Sequence, residues 1–185
     1  MRVEHKYGDK LFVDYAGKKL YITDRATGEQ TAVEVFVSIL GGSQLSYVEA
    51  SASQKLDDFL ASMSNALSYM GGVPKAIVPD NLKSAVTKSD PYEPEVNRNF
   101  KEFGLHYNTS ILPTRAYKAR DKALVEGMVK IVYQQIYFPL RNQVFFSIED
   151  LNQAIWKELE KLNAKPFKDR DYSRKTLFES EEKHL

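Results

Sequence analysis

"DKLFVDYAGKKLYITDRATGEQTAVEVFVSIL", residues 9–40, decides the fold. Three aromatic and β-branched runs, "KLFVDYA", "KLYITD" and "TAVEVFVSIL", are separated by Gly17-Lys18 and by "RATGEQ". They read as three antiparallel strands joined in a meander. Asp14 interrupts the first run between Val13 and Tyr15. Alternation puts it on the face of Phe12 and Ala16, half-buried or at the core's edge. An ionised carboxylate there is unfavourable unless a cation or hydrogen-bond donors meet it.

Working outward, "LSYVEA" reads as a further short strand, and from Lys55 to Met70 the period changes. Leu56, Phe59, Leu60, Met63, Leu67 and Met70 recur at three- and four-residue steps, the stripe of an amphipathic helix. Gly71-Gly72 suits its C-terminal cap and Pro74 blocks continuation. "KAIVPD", residues 75–80, is a short apolar strand ending on an acid. A short helix is expected between Glu95 and Phe103, and "LHYNTSIL" reads as a strand closed by Pro113. A second helical stripe runs from Asp121 to Phe138 through Val125, Met128, Val129, Val132 and Ile136. A third starts at Ser147, whose hydroxyl suits a cap, and runs through Leu151, Ile155, Leu159 and Leu162. The charged, aperiodic tail after Pro166 reads as an extended linker. A meander followed by alternating helices and strands predicts an α/β mixed sheet flanked by helices.

Length and composition agree with one compact domain: 185 residues with 43% hydrophobic and 12% aromatic content are enough to bury a core. With no cysteine, disulfides, thiolate zinc sites and cysteine nucleophiles are excluded. No apolar run approaches the roughly 20 residues that span a bilayer, and the polar start does not resemble a signal peptide, so the expectation is a soluble, cytoplasmic protein. Lysine and arginine number 26 against 25 acids, which gives no overall bias toward nucleic acid. The bias is local: between residues 115 and 130 stand Arg115, Lys118, Arg120, Lys122 and Lys130, with only Asp121 and Glu126 against them. Such a run is either a solvated face or a phosphate-attracting patch.

In α/β sheets, ligand sites gather at strand ends, which singles out three acids. Asp14 lies in the first strand, Asp80 ends the strand after the first long helix, and Glu126 sits off the apolar stripe of a later helix between Lys122 and Lys130. Each has an ordinary reading: a satisfied polar residue, a turn residue, and a member of exposed i,i+4 pairs. His5, His106 and His184 lack zinc-site spacing, no GxxxxGK[ST] loop is present, and the tyrosines lack the arrangement of a tyrosine recombinase. Trp156 beside a helical stripe reads as core or interface.

Together the three acids lie in the order of a ribonuclease H-like nucleotidyl-transfer site. "VDYAG", "GGVPKAIVPDNLKSAV" and "KARDKALVEGMVKIV" resemble the three signature segments of IstA-type DDE transposases of the IstA/IstB insertion-sequence family, whose core belongs to the retroviral integrase superfamily. The resemblance covers residues 8–165. It implies a ribonuclease H-like mixed five-stranded sheet over residues 1–165, a three-stranded antiparallel meander plus parallel strands, with 166–185 as a charged extension or linker. It also implies Asp14, Asp80 and Glu126 as catalytic metal ligands, separated by 66 (80 minus 14) and 46 (126 minus 80) residues. Two Mg2+ or Mn2+ ions would be held, Asp14 bridging both. The implied chemistry is 3′-end cleavage and strand transfer of transposon DNA into target DNA. Asn81, Lys83, Lys118, Arg120, Lys122 and Lys130 are the expected DNA contacts. The implied partners are transposon-end and target DNA, an IstB-type AAA+ ATPase and further copies of the chain. The alternatives are a non-catalytic DNA-binding or assembly module of the same fold and a nuclease that cuts without joining.

The chemistry independently favours these residue types. Transferring a phosphodiester needs an activated oxygen nucleophile and stabilised charge on the phosphate and leaving oxygens, which two divalent ions supply together. Hard ions favour carboxylate oxygen.

Overall fold

The computed structural model describes residues 5–80, 86–88, 95–113 and 119–185, with the backbone alone at 86–88, 95–96 and 119–121. The chain runs β1 (Lys10–Tyr15), β2 (Leu20–Thr23), β3 (Gln30–Leu40), β4 (Ser46–Ser51), α1 (Leu56–Met70) and β5 (Ala76–Pro79). It continues through a small antiparallel ribbon, β6 (Val86–Lys88) with β7 (Glu95–Val96), then α2 (Arg98–Tyr107), β8 (Ser110–Ile111) and α3 (Ala119–Val132). A π-helical turn (Tyr133–Tyr137) and α4 (Phe138–Leu140) prolong α3; α5 (Ile148–Ala164), α6 (Arg174–Leu177) and a second π turn (Phe178–Glu182) complete the order.

The main sheet is mixed, as expected: β1 is antiparallel to β3 and parallel to β5, and β5 is parallel to β8. The meander is built differently from the one expected. Gly17-Lys18 does not turn the chain back, and β1 and β2 do not pair. Both run along β3, β1 opposite Phe36–Leu40 and β2 opposite Gln30–Val33. Ala16 N–H still donates to the Val35 carbonyl at 2.8 Å, so residues 16–19 are a break within one line of strand. The reversal comes at residues 24–29. There Asp24 Oδ1 accepts from the N–H groups of Ala26 and Thr27, and Gly28 adopts φ +70°, which a side chain would resist.

α1 has the predicted extent and ends on Gly71 at φ 71°. It lays Phe59 against Phe36, their ring centroids 6.1 Å apart, and Tyr15 and Phe100 join the same aromatic cluster at 6.2 and 5.1 Å from Phe59. α2 runs past the expected Phe103 to Tyr107, where Asn108 takes the left-handed cap conformation, and only Ser110–Ile111 of "LHYNTSIL" is strand. Phe103 and Tyr107, one helical turn apart with ring centroids 4.6 Å apart, show why: one-turn aromatic spacing outweighs the β preference of the individual residues. No helix among the described residues is long and apolar enough to cross a membrane.

β4 pairs with β3 alone, so its other edge carries unpaired peptide groups. Side chains of α5 satisfy them at every second residue. Asn152 bonds both the N–H (2.6 Å) and the carbonyl (3.1 Å) of Ala50, Trp156 Nε1–H donates to Val48 (3.0 Å), and Asn163 bonds both groups of Ser46 (3.2 and 2.9 Å). Trp156 is thus a core and edge-sealing residue. The replacement Asn152→Leu is expected to strand the Ala50 peptide groups and lower stability by about 1–3 kcal/mol. Urea unfolding measures it, and an unmoved midpoint would mean that the edge needs no such cover.

Residues 166–185, expected to be extended, are folded back. Pro166 pairs with Ser173, Ser173 and Thr176 form a capping box, and the Glu182 carboxylate accepts from Gly8 N–H (2.8 Å) and Ser43 N–H (3.2 Å). The Glu182 bonds reach more than 130 residues along the chain, so no local period announces them.

Candidate active site

β1 and β5 lie side by side in parallel, with Val13 opposite Pro79, and Asp80 N–H donates to the Val13 carbonyl at 3.1 Å. Asp14 and Asp80 therefore sit next to each other at the same end of adjacent strands. The two carboxylates are within hydrogen-bonding reach, and Glu126 is close enough to act on Asp14 through its charge. α3 brings Glu126 there by burying Val125, Met128 and Val132, which leaves Glu126 and Lys130 exposed.

The electrostatics are those of crowded acids. Burial pushes the Asp14 carboxyl up to a pKa of about 7, reinforced by the charge and hydrogen bonding of Asp80 and by the charge of Glu126. The Tyr15 N–H, 2.8 Å from Asp14 Oδ1, opposes this in part. Asp80 Oδ1 is buried without an aligned hydrogen-bond donor, and the cation beside it is the Lys122 ammonium at 3.2 Å. A half-buried pair of carboxylates in contact, one oxygen lacking a donor, is a donor set that a hard cation fits. Among the described residues, no three histidine, cysteine, aspartate or glutamate side chains are drawn tightly enough together to hold an ion unaided. A divalent ion that keeps waters and borrows substrate oxygens does not need three.

Of the residues expected to contact DNA, Lys130 is exposed on α3, whereas Lys122 turns inward onto Asp80. Arg120 is placed by its backbone on α3. Asn81, Lys83 and Lys118 lie outside the described residues.

Two features next to this site escaped the sequence reading. The 16–19 break is fastened to the π turn after α3: Lys18 N–H donates to Tyr133 Oη at 3.0 Å, and Tyr137 Oη donates to the Lys18 carbonyl at 2.6 Å. The only signal in the sequence is the i,i+4 tyrosine pair "YQQIY" ahead of Pro139. That proline has no N–H for the carbonyl one turn earlier, and the helix widens just before it.

No family model matches the chain. It is 44% identical over 179 residues to a Pseudomonas fluorescens protein named as a transposase for insertion sequence IS1162, covering 97% of this chain and 32% of that protein. It is 30% identical over 162 residues to the transposase for insertion sequence element IS21 of Pseudomonas aeruginosa, covering 85% of this chain and 40% of that one. The chain thus spans about a third of the length of the curated relatives it matches. Its fold is shared with a chain of the simian T-cell lymphotropic virus intasome (TM-score 0.72, 14% identity, 97% of this chain and 57% of that one). It is shared also with the HTLV-2 integrase catalytic core domain solved in complex with magnesium (TM-score 0.63, 16% identity, 95% and 99%).

Proposed function

As a homologue of one segment of the insertion-sequence transposases, folded like a retroviral integrase catalytic core, this chain carries, we propose, the chemical centre of a DNA transposase. The supporting observation is the meeting of Asp14 and Asp80 at the ends of two parallel strands, with Glu126 within range on α3. In this reading residues 1–165 form the catalytic core and 166–185 a C-terminal extension. The protein acts on transposon ends and target DNA in the bacterial cytoplasm, as an oligomer, with an IstB-type AAA+ ATPase as its target-selecting partner.

Asp14, Asp80 and Glu126 are the residues that would hold the divalent ions, two Mg2+ or Mn2+. When bound, such ions activate water or a 3′-hydroxyl as nucleophile and neutralise charge on the phosphate and the leaving oxygen. The protein's part is positional. β1 and β5 are central, rigid strands, so two of the three carboxylates need little reorganisation when substrate arrives. The same centre serves first for hydrolysis, exposing a 3′-hydroxyl at the transposon end, and then for attack of that hydroxyl on target DNA. Lys130, with Arg120, Lys118, Lys83 and Asn81, contacts phosphates and holds the duplex without reading its sequence.

Manganese supplied at millimolar concentration to crystals of the chain tests this directly. Anomalous density between Asp14 and Asp80 is expected, and manganese bound only elsewhere would remove the assignment.

Lys122 takes a double role. Without metal its ammonium balances Asp80, with both side chains largely shielded (25% and 18% exposed), and ion binding frees it to turn toward a phosphate. Lys122→Gln is accordingly expected to tighten manganese binding by up to about five-fold, the worth of a partly buried ion pair of about 1 kcal/mol. Calorimetry without DNA reads this, and unchanged affinity would show that the ammonium does not compete.

A further inference from the structure

We propose that Lys18 is a DNA-phosphate contact, held in place in the break after β1, the strand that carries Asp14, by the tyrosine clamp of Tyr133 and Tyr137. The inference rests on the reading of the chain as a DNA-processing core, and it adds a residue and a device that the three signature segments do not contain.

Lys18 stands four residues beyond Asp14, in the break between β1 and β2. A glycine-containing break on a protein surface is ordinarily loose. Here both backbone polar groups of Lys18 are taken by phenols of one π turn, at 3.0 and 2.6 Å, and the two tyrosine rings brace each other edge to face with centroids 5.0 Å apart. The segment is thereby tied to residues more than a hundred positions away, whose rings also pack against the core.

What the clamp holds is an exposed positive charge. Of the two adjacent lysines, Lys19 is ion-paired with Glu34. Lys18 has no ion pair among the described residues; its Nζ lies 4.8 Å from the centre of the Tyr133 ring. A ring beneath an ammonium fixes its position without cancelling its charge, so the charge stays available to an anion above it.

The placement suits a nucleic-acid strand crossing the site. Glu126, Lys130 and Tyr133 are spaced i, i+4 and i+7, along one face of α3 as it runs into the π turn. Seven residues of helix advance about 10 Å, or about three nucleotide steps of a duplex strand. Lys18 therefore extends the stripe begun by Glu126 and Lys130 and meets the backbone a few nucleotides from the scissile phosphate.

Salt titration of binding to a 30-base-pair duplex of arbitrary sequence, followed by fluorescence anisotropy, tests the idea. Each phosphate contact contributes about 0.9 to the slope of log affinity against log salt. Lys18→Ala is expected to reduce that slope by about one and weaken binding several-fold, Lys18→Arg to restore the slope, and Lys161→Ala, remote on α5, to leave it alone. Tyr133→Phe keeps the ring and loses only the hydroxyl that anchors the Lys18 N–H. It is expected to weaken duplex binding at least two-fold with unchanged thermal stability, and wild-type binding in that variant would overturn the clamp. If the wild type binds duplex and Lys18→Ala keeps its slope, the Lys18 contact falls while the transposase reading stands. If the wild type binds no duplex at any salt, that reading falls first.

Discussion

Replacing Asp14 by asparagine is expected to reduce strand transfer by the full-length protein on the order of 10²–10³-fold or more, the scale on which loss of one transition-state electrostatic group is felt. The folded protein should at the same time be no less stable. The side chain is held in a half-buried position against Asp80, with Glu126 adding a third negative charge, so the ionised form is already disfavoured there. An amide of the same shape keeps the oxygen that accepts from Tyr15 N–H and removes the repulsion. A carboxylate kept for structure would give the opposite pattern, with stability lost and chemistry spared. Asp80→Asn should lose activity to a similar degree but give up the Lys122 ion pair as well, so its stability gain should be smaller. If the carboxylates act on one centre, as proposed, the double variant should be scarcely worse than either single one. The assay supplies pre-cleaved transposon ends with manganese; transfer at the wild-type rate in Asp14→Asn would take this residue out of the mechanism.

How far the sequence led can be seen at particular residues. Asp14 and Asp80 were legible because a carboxylate inside or just after an apolar strand is locally unfavourable, and a parallel pairing of those strands is enough to bring both to one sheet end. Glu126 was legible by its phase against the stripe of Val125, Met128 and Val132. The β1–β2 connection was misread because Gly17-Lys18 has turn composition, whereas the ladder bond from Ala16 to Val35 depends on a strand twenty residues ahead. Helical phase places Lys122 among the expected DNA contacts, and only the tertiary placement of Asp80 shows the ion pair that draws it inward. The tyrosine clamp was hidden for the same reason: Tyr133 and Tyr137 read as helix packing until their hydroxyls are seen to reach Lys18.

The crowding of acids makes a second large effect follow, on stability against pH. The unfolded chain releases the Asp14 proton near the ordinary value of 3.8, whereas burial and the neighbouring carboxylates hold it in the folded protein up to about 7. Between these values the native state carries a proton that the unfolded state has lost, so the stability contributed by Asp14 is complete below about pH 4 and disappears as pH rises through 7. From pH 5 to pH 8 the metal-free protein should lose about 2–3 kcal/mol from this group, at about 1.4 kcal/mol for each unit crossed. The measurement is the difference between wild type and Asp14→Asn in urea unfolding across that range, since other titrating groups largely cancel in the difference. On the proposed assignment a divalent ion binds the ionised pair and not the unfolded chain, so magnesium should restore stability to the wild type at pH 8, do little at pH 5, and do little to the variant at either pH. In the proposed site proton and metal would compete for one place, since the proton on Asp14 at low pH and a metal at high pH answer the same repulsion. A wild-type minus variant difference that stays flat from pH 5 to 8, with or without magnesium, would mean that Asp14 and Asp80 do not share a cation site.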